Sequence, residues 1–403
     1  MAQSTQRQHS DTDPHFEDLR ATFFEHFGDG EYDLVMARAP GRVNLIGGHT
    51  DYNDGWVLPA TIDRAVCVAL RRRNDEAVRL RALNFGEEVE YALQEPPIDS
   101  LPQWAQYVAG VAEELRRKHG LDAGFECMFY GNVPLGSGLS SSAALEVAVA
   151  EGLQSLFEIA LSPEETALLC QTVEHTYVGV QCGIMDQMAV RLGRADHALS
   201  LDCRTLDYEH VPLPMDEASI VIADSQVSRE LAGSKYNERR AECEEGVAFF
   251  QQFDDSVDAL RDVSPGLFGE HAEELPETLR RRCRHVITEN ERVRKSAQAL
   301  QRADLAAFGA LMSASHESLR EDYEVSIEEL DHLVKTARAT DGVYGARMTG
   351  AGFGGCVVCL TADSALDALQ RRLTDRYEGQ FDREPTLYVM EENLEATTLQ
   401  PAV

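Results

Sequence analysis

A glycine- and serine-rich stretch at residues 133–150, VPLGSGLSSSAALEVAVA, carries side chains that could bind phosphate. Gly136 and Gly138 allow positive φ and a close approach of the backbone to a ligand. Three serines at 140–142 follow, where a predicted helix begins, and their hydroxyls are expected to cap that helix. The N–H groups at the start of a helix lack partners within it and can bind an anion. A serine hydroxyl there could also reach a metal ion that phosphate oxygens hold.

A second polar stretch, APGRVNLIGGHTDY at residues 39–52, holds more hydrogen-bonding groups than a simple turn needs. Arg42, Asn44, His49 and Asp51 could together fix a small polyol, and the guanidinium of Arg42 could also face phosphate. This stretch therefore predicts a polar binding site for a small molecule.

Two common nucleotide-binding motifs do not fit the glycine-rich stretch. A P-loop needs a lysine after its glycines, and the chain has none between Lys118 and Lys235. A dinucleotide-binding motif needs a third glycine where Ser141 stands, and an acidic residue after a following strand. Taken alone, the stretch could also be an ordinary turn before a core helix.

The elements that must position these residues follow from hydrophobic periodicity and from glycine and proline breaks. Helices are predicted at 16–28, 103–119, 141–157, 163–173 and 236–251, and further charged helices up to 334. Strands are predicted at 31–38, 57–70, 125–130, 219–224 and 385–390, with a glycine-rich hairpin at 345–360. Residues 1–15 are predicted to be disordered. The composition changes near Pro212, which predicts domains at 1–212 and 213–403.

Composition excludes several classes of function. The net charge of −32 over 403 residues argues against binding to nucleic acid or anionic membranes. No apolar run is long enough to span a bilayer and the first residues lack a signal-peptide pattern, so a soluble cytoplasmic protein is expected. All but four of the 37 basic residues are arginine, which is typical of adaptation to high salt. Cys356 and Cys359 lie in an apolar run and are expected to pack in the core.

Three stretches resemble, in the right order, the motifs of the GHMP kinases, the family shared by galactokinase, homoserine kinase, mevalonate kinase and phosphomevalonate kinase. They are residues 39–52, residues 133–150, and RMTGAGFGG at residues 347–355. VQCGIMDQM at 180–188 and SKYNERR at 234–240 resemble the galactokinase branch in particular. The resemblance extends over roughly residues 35–360.

This resemblance implies an α+β fold of two domains with the active site in the cleft between them. The N-terminal domain would be ribosomal-protein-S5-like, with a left-handed βαβ unit that the usual right-handed rule does not predict. The C-terminal domain would be a ferredoxin-like α+β domain.

The resemblance also implies transfer of the γ-phosphoryl group of ATP to the anomeric hydroxyl of galactose, with Mg²⁺ as cofactor. Asp186 would accept the proton of that hydroxyl, with Arg42 beside it as the second catalytic residue. Ser142 and Glu174 would hold the metal. The residues implied to bind the sugar are Gly48, His49, Thr50, Asp51, Gly183 and Tyr236. Those implied to bind ATP are Trp104 and Tyr107 beside adenine, and Gly136, Ser137, Gly138, Leu139, Ser140, Ser141 and Ser142 around the phosphates.

One position departs from the family pattern and leaves the substrate open. Galactokinases carry an acidic residue where this chain has Gly48, and by analogy that carboxylate bonds the C6 hydroxyl of the sugar. Its loss would remove a charge-assisted hydrogen bond worth roughly 1.5–3 kcal/mol. Either galactose binds less tightly, or the substrate is a C6-altered relative such as galacturonate or L-arabinose. Galactose is favoured because the rest of the pattern fits, and Gly48→Glu is expected to tighten its binding.

Two other classes of function remain as alternatives. A sugar sensor on the same fold would keep the binding sites without catalysis, whereas Arg42, Ser142, Glu174 and Asp186 are all present here and favour an enzyme. An NAD-dependent oxidoreductase would need an acidic residue that the glycine-rich stretch lacks. A metal cluster of His49, His175 and His316 is not expected, because their spacing matches no ligand pattern. The protein is expected to be a monomer that binds ATP and galactose or a close relative.

Overall fold

The computed structural model describes residues 14–227, 232–390 and 393–399. It is a mixed α+β structure with one eight-stranded and one four-stranded sheet. The helices are α1 Pro14–Phe27, α2 Gln103–His119, α3 Ser141–Leu156, α4 Pro163–Val173, α5 Met185–Leu192, α6 Ala232–Phe250, α7 Pro265–His271, α8 Glu277–Gln301, α9 Leu305–Glu321, α10 Glu328–Arg338 and α11 Leu366–Phe381. The strands are β1 Leu34–Ile46, β2 Trp56–Arg72, β3 Ala77–Ala82, β4 Glu87–Ala92, β5 Phe125–Gly131, β6 His197–Asp202, β7 Tyr208–Pro212, β8 Ala218–Asp224, β9 Val343–Met348, β10 Cys356–Ala362, β11 Thr386–Val389 and β12 Thr397–Leu399.

The larger sheet is built on the antiparallel pair β1 and β2. Its main order is β12-β1-β2-β5-β3-β4, and β6 and β7 extend it from the start of β2. The predicted strand at 31–38 continues through the first polar stretch to Ile46, which the sequence analysis did not predict. The register of β1 against β2 shifts between Pro40 and Arg42, because proline has no N–H for the ladder. This irregularity lies directly before Arg42.

A βαβ unit is present in the larger sheet, and its left-handedness stays a prediction. Strands β3 and β5 pair in parallel, and the connection between them passes through β4 and α2. Helix α2 ends at Gly120, whose φ of 78° is the left-handed conformation that terminates many helices. The alanine-rich helix α3 packs on β1 and β2 with small side chains such as Ala144 and Ala148, both fully buried. Close packing of α3 fixes the loop that precedes it.

The smaller sheet has the order β11-β8-β10-β9, and all its pairs are antiparallel. If these four strands are numbered 1 to 4 in chain order, starting with β8, the order in the sheet is 4-1-3-2. This is the strand order of a ferredoxin-like domain, as predicted. Cys356 and Cys359 are buried in β10. Strand β12 returns to the larger sheet and pairs with β1.

The helices at 103–119 and 163–173 have the predicted bounds, and the predicted hairpin is the pair β9 and β10. Of the segment predicted to be disordered, residues 1–13 lie outside the described residues, and Pro14 already begins α1. Strands β3, β4, β6, β7 and β12 were not predicted. The domain boundary at residue 212 stays a prediction. Within the described ranges, no helix combines the length and apolar character that crossing a bilayer requires.

Candidate active site

The residues singled out in the polar stretches surround one cavity of about 300 Å³. Five parts of the chain contribute most of its lining. They are the end of β1, the loop before α3, helix α5, helix α6, and the loop between β9 and β10. The lining residues are Arg42, Asn44, Gly48, His49, Asp51, Tyr107, Gly136, Gly138, Ser140, Ser141, Ser142, Glu174, Val180, Cys182, Met185, Asp186, Tyr236, Gly350 and Ala351.

Arg42 and Asp186 form a bidentate pair in this cavity. Nε of Arg42 donates to Oδ1 of Asp186 over 2.8 Å, and Nη2 donates to both carboxylate oxygens over 2.6 Å. The side chain of Arg42 is 5% exposed, whereas that of Asp186 is 29% exposed. Bidentate pairing fixes the carboxylate more firmly than a single hydrogen bond does. Asp186 is therefore held rigidly while one side of it faces the cavity.

The glycine- and serine-rich loop at residues 136–142, predicted to bind phosphate, is joined to this pair. The carbonyl of Gly138 accepts a hydrogen bond from Nη1 of Arg42 over 2.6 Å, and the backbone N–H of Arg42 donates to the carbonyl of Leu139. The hydroxyl of Ser140 donates to Oδ2 of Asp186 over 2.6 Å. The loop, Arg42 and Asp186 therefore form one hydrogen-bonded unit.

The loop geometry corrects one expectation about the three serines. They were expected to cap α3, but Ser140, at the N-cap position, makes no side-chain cap bond. Its backbone is left-handed, with φ 59° and ψ 48°, which directs its hydroxyl to Asp186 instead. Because the helix start keeps free N–H groups, it remains available to an anion.

The remaining loop residues fall into two groups. Gly136 and Gly138, with φ of 68° and 82°, face the cavity, as do Ser141 and Ser142. Ser137 and Leu139 are buried beneath the loop and do not line the cavity, and the hydroxyl of Ser137 donates to the carbonyl of Pro134 over 2.7 Å. These two residues support the loop from inside.

Glu174 is the C-cap of α4 and begins a single π-helical turn, Glu174–Val178. Burial raises the pKa of its carboxyl group to about 7, and Asp186 adds to the rise through like charge. The hydroxyl of Ser142 lies within hydrogen-bonding reach of Glu174 and of the Tyr107 hydroxyl. A buried carboxyl group whose charge is poorly compensated fits a divalent cation, and both Ser142 and Glu174 offer the oxygen ligands that Mg²⁺ prefers.

A second, adjoining cavity of about 570 Å³ opens beside the loop. Trp104 and Tyr107 both line it from one face of α2, as their spacing predicts. The indole N–H of Trp104 donates to Oε2 of Glu87 over 2.7 Å, which fixes the ring plane. Leu135 and Gly136 also border this cavity, so the loop separates it from the Arg42–Asp186 pair.

His49 lines the first cavity, but both of its ring nitrogens are used by the protein. Nδ1 contacts the Tyr52 hydroxyl over 3.0 Å, and Nε2 contacts the carbonyl of Ala351 over 3.2 Å. Burial lowers the pKa of His49 to about 3, so the ring is neutral. Since a carbonyl only accepts, Nε2 carries the proton and Nδ1 accepts from Tyr52. The ring therefore presents a face, together with Tyr236 at a centroid distance of 5.6 Å.

Asp51 lines the cavity near Asp186. Burial raises the pKa of its carboxyl group to about 7, and the negative charge of Asp186 raises it further. Gly183 does not itself line the cavity. A Cβ there would collide with Oδ2 of Asp51, so glycine provides the space that this carboxyl group occupies. Thr50 also lies outside the lining and is fully buried, and its hydroxyl shares its one proton between the carbonyls of Trp56 and Gly47, at 2.8 and 3.0 Å.

Helix α8 holds the first polar stretch in place, and nothing in the sequence pointed to it. Oε1 of Glu289 accepts from the N–H groups of Gly47 and Gly48 over 3.0 and 3.3 Å. Nε2 of His285 contacts the Gly48 carbonyl over 2.9 Å, and Oδ1 of Asn290 accepts from the N–H of Trp56 over 2.9 Å. Both ends of the loop between β1 and β2 are therefore fixed to one helix face.

Three family models match the chain. GHMP kinases N terminal domain matches residues 106–194, GHMP kinases C terminal matches residues 296–379, and the Galactokinase galactose-binding signature matches residues 21–72. The last of these covers the first polar stretch, and the first covers the glycine- and serine-rich loop and Asp186.

Curated and solved relatives agree with these matches. The galactokinase of Roseiflexus sp. (strain RS-1) is 48% identical over 92% of this chain and 94% of its own length, and that of Chloroflexus aurantiacus is 49% identical over 89% and 91%. The crystal structure of Lactococcus lactis galactokinase complexed with galactose has a TM-score of 0.90 at 38% identity, over 96% of this chain and all of that one. Methanococcus jannaschii mevalonate kinase shares the fold alone, with a TM-score of 0.64 at 16% identity over 88% of this chain and 98% of its own. By motifs, fold and identity, the chain belongs to the galactokinase family of GHMP kinases.

Proposed function

We propose that the protein transfers the γ-phosphoryl group of ATP to the anomeric hydroxyl of galactose, giving galactose 1-phosphate. The observation that carries this proposal is the hydrogen-bonded unit of Arg42, Asp186 and the phosphate-binding loop. It joins a carboxylate that can accept a hydroxyl proton to a loop that can bind phosphate, in one cavity. The family relatives named above support galactose as the sugar.

In the proposed reaction, the anomeric oxygen lies against Asp186 and attacks the γ-phosphorus of ATP. The new bond joins this oxygen to phosphorus, the bond between phosphorus and the bridging oxygen of ADP breaks, and the hydroxyl proton passes to Asp186. Arg42 lies where it can hold the carboxylate and neutralise charge on the phosphoryl group. Ser140 orients the second carboxylate oxygen.

ATP is proposed to span both cavities, with its base beside Trp104 and Tyr107 and its phosphates against the loop and the start of α3. The sugar is proposed to lie against His49, Asp51 and Tyr236. At a pKa of about 7, Asp51 is partly protonated at neutral pH, so it can both accept from and donate to ring hydroxyls.

Mg²⁺ is the cofactor we propose, with Ser142 and Glu174 holding it. When bound, the metal ion would neutralise charge on the ATP phosphates. It would also lower the pKa of Glu174, which burial raises. Titrating MgCl₂ in the absence of nucleotide and following the melting temperature tests this assignment. A rise for the native protein that is lost in Glu174→Gln supports it, and an equal rise in both contradicts it.

A coupled assay for ADP release with galactose tests the activity and separates it from a silent sugar sensor. We expect galactose-dependent ADP release, abolished by Asp186→Asn, which keeps the shape of the side chain while removing its negative charge. Asp122→Asn, at a side chain 69% exposed, is the matched control and keeps full activity. Binding of galactose and ATP without turnover in the native protein would indicate a sensor and overturn the proposal.

Three further features belong to the proposal. The division into domains at 1–212 and 213–403 agrees with β8 starting the smaller sheet, although β12 rejoins the larger one. A monomer is expected. A molar mass that is a multiple of 44.7 kDa, measured by light scattering after size-exclusion chromatography, would contradict this expectation. A cytoplasmic location is expected, and recovery of the native protein from an extracellular fraction would contradict it.

A further inference from the structure

A chain of hydrogen bonds runs from His49, in the wall of the first cavity, to Cys243 in α6. The hydroxyl of Tyr52 lies 3.0 Å from Nδ1 of His49 and 2.7 Å from the hydroxyl of Tyr323. The Tyr323 hydroxyl lies 3.1 Å from Sγ of Cys243. At the other end, Nε2 of His49 lies 3.2 Å from the carbonyl of Ala351. Of these five residues, His49 and Ala351 line the cavity, whereas Tyr323 and Cys243 are buried.

The direction of every bond in this chain follows from its end at Ala351. A carbonyl only accepts, so Nε2 of His49 carries a proton, and the ring has no second one because burial lowers its pKa to about 3. Nδ1 therefore accepts the single hydroxyl proton of Tyr52. The oxygen of Tyr52 must then accept from Tyr323, and the oxygen of Tyr323 must accept from the thiol of Cys243.

The chemistry at Cys243 agrees with this direction. Burial raises the pKa of its thiol to about 11, so the sulfur keeps its proton at neutral pH. The side-chain amide of Asn53 donates to Sγ over 3.6 Å, which leaves the S–H to donate to Tyr323. The opposite direction would place an unprotonated Nε2 of His49 against the carbonyl of Ala351, with two acceptors facing each other.

The residues after α9 hold both sides of the His49 ring's surroundings. The ring of Tyr323 packs against that of His49 at a centroid distance of 4.8 Å, and the Tyr323 carbonyl accepts from Nε of Arg239 over 2.8 Å. Two residues further on, the carbonyl of Val325 accepts from the N–H of Phe353, in the loop between β9 and β10, over 2.8 Å. His49 itself has a left-handed backbone with φ 63°, which is uncommon outside glycine and requires such support.

Resting on the proposed function, we propose that Tyr52 and Tyr323 are positioning residues for the sugar, which act through His49. They hold the ring of His49 in the one tautomer that binds the carbonyl of Ala351, and so keep the ring and the loop between β9 and β10 in the arrangement that galactose binds. Without the proton of Tyr52, the imidazole can carry its proton on either nitrogen and can turn. The affinity for the sugar then falls in proportion to the fraction of rings that keep the binding arrangement.

The kinetic test compares the native protein with Tyr52→Phe, which keeps the ring and removes the donor to His49. We expect KM for galactose to rise roughly five- to tenfold, with kcat and KM for ATP within about twofold. Tyr377→Phe is the matched control, because it removes a phenol hydroxyl that donates to the carbonyl of Ser225 over 2.7 Å, outside the cavity lining. It should lower the melting temperature and leave all three constants unchanged, which separates positioning from general stability.

The spectroscopic test reads the tautomer of His49 without any turnover, by ¹⁵N NMR of protein labelled in histidine. The signals of His49 are those that disappear in His49→Gln. We expect a protonated Nε2 and an unprotonated, hydrogen-bonded Nδ1 in the native protein. In Tyr52→Phe the Nδ1 signal should move towards that of an imidazole nitrogen without a hydrogen bond, or towards a mixture of tautomers.

The outcomes separate this inference from the proposed function. A proton on Nδ1 in the native protein overturns the direction of the chain, and a native KM for galactose in Tyr52→Phe overturns the positioning role. Absence of galactose turnover in the native protein overturns the proposed function, whereas the tautomer is measured independently of it. If Tyr52→Phe does not fold, Tyr323→Phe replaces it, since it removes the donor to Tyr52 and should likewise raise KM for galactose alone.

Discussion

Glu289 offers a sharp test of how helix α8 holds residues 47–55, the loop between β1 and β2 that is called the sugar loop from here on. Its carboxylate is fully buried and accepts from the N–H groups of Gly47 and Gly48, from Ser315 over 2.5 Å and from Arg292 over 2.6 Å. Burial alone would raise the pKa of Glu289. The neighbouring positive charges, of which Arg292 has the largest effect, instead lower this pKa from 4.5 to about 2. At ~1.4 kcal/mol per pKa unit, this shift corresponds to about 3 kcal/mol of stability at pH 7.

The substitution Glu289→Gln keeps the shape of the side chain and removes its charge. We expect the free energy of unfolding, measured by urea denaturation at pH 7, to fall by about 3–5 kcal/mol, because one member of a buried ion pair is lost. Since the folded-state pKa is the lower one, the stabilisation is present above about pH 4.5 and is lost as the pH falls towards 2. The difference between native protein and variant should therefore shrink below pH 4.5.

The same variant should raise KM for galactose at least tenfold and leave KM for ATP within about twofold, because the loop it supports lines the first cavity and not the second, where the base of ATP is proposed to lie. Glu291→Gln, on the same helix with its side chain 54% exposed, is the matched control. If Glu289→Gln were as stable as Glu291→Gln, or if both KM values rose together, the proposed support of the loop by α8 would be refuted.

Three other predictions concern the catalytic cavity. Ser140→Ala removes the hydroxyl that donates to Asp186, and kcat should fall roughly tenfold or more with KM for ATP unchanged; a native kcat would contradict this role. Gly183→Ala places a methyl group on the Asp51 carboxyl group, so KM for galactose should rise sharply while the melting temperature falls; native kinetics would show that this space is not needed. Asp51→Asn should stabilise the sugar-free protein more at pH 8 than at pH 5. The folded-state pKa of Asp51 is raised from 3.8 to about 7, so its cost grows as the pH rises through this window, reaching about 4 kcal/mol. If Asp51→Asn changed the melting temperature equally at both pH values, the raised pKa of Asp51 would be refuted.

The sequence predicted the parts of the site that are local in the chain. Gly136 and Gly138 do adopt positive φ and face the cavity, because a strand, a glycine-rich turn and a helix form from neighbouring residues alone. The helices at 103–119 and 163–173 were also predicted to the residue, since Pro102 and Gly120 flank the first and Pro163 begins the second. Local signals of this kind do not depend on the tertiary structure.

Contacts between distant residues were not predictable in the same way. Glu289 contacts Gly47 across 242 positions, and in the sequence it is one more acidic residue on a charged helix. The direction of the Ser140 hydroxyl was missed because serine before a helix is ordinarily a cap, and only the left-handed backbone turns it to Asp186. The short strands β3 and β4 were missed because their exposed faces carry many charged residues.

Gly48 shows how the structure changes an expectation from the sequence. The sequence predicted that Gly48→Glu would tighten galactose binding through a restored carboxylate. In the structure a side chain at this position meets Nη2 of Arg347 first, so the guanidinium must move before any carboxylate reaches the sugar. The same carboxylate would then pair with Arg347 and repel an anionic sugar. The tighter binding of galactose stays a prediction, now conditional on that movement.

The return of β12 to β1 has a consequence for biosynthesis. The residues that complete this edge of the larger sheet are synthesised long after β1, because Leu399 of β12 pairs with Met36 of β1. Until then, that edge of β1 exposes unpaired backbone groups to neighbouring nascent chains. Synthesis of β12 should therefore precede maturation of the sugar loop at the end of β1.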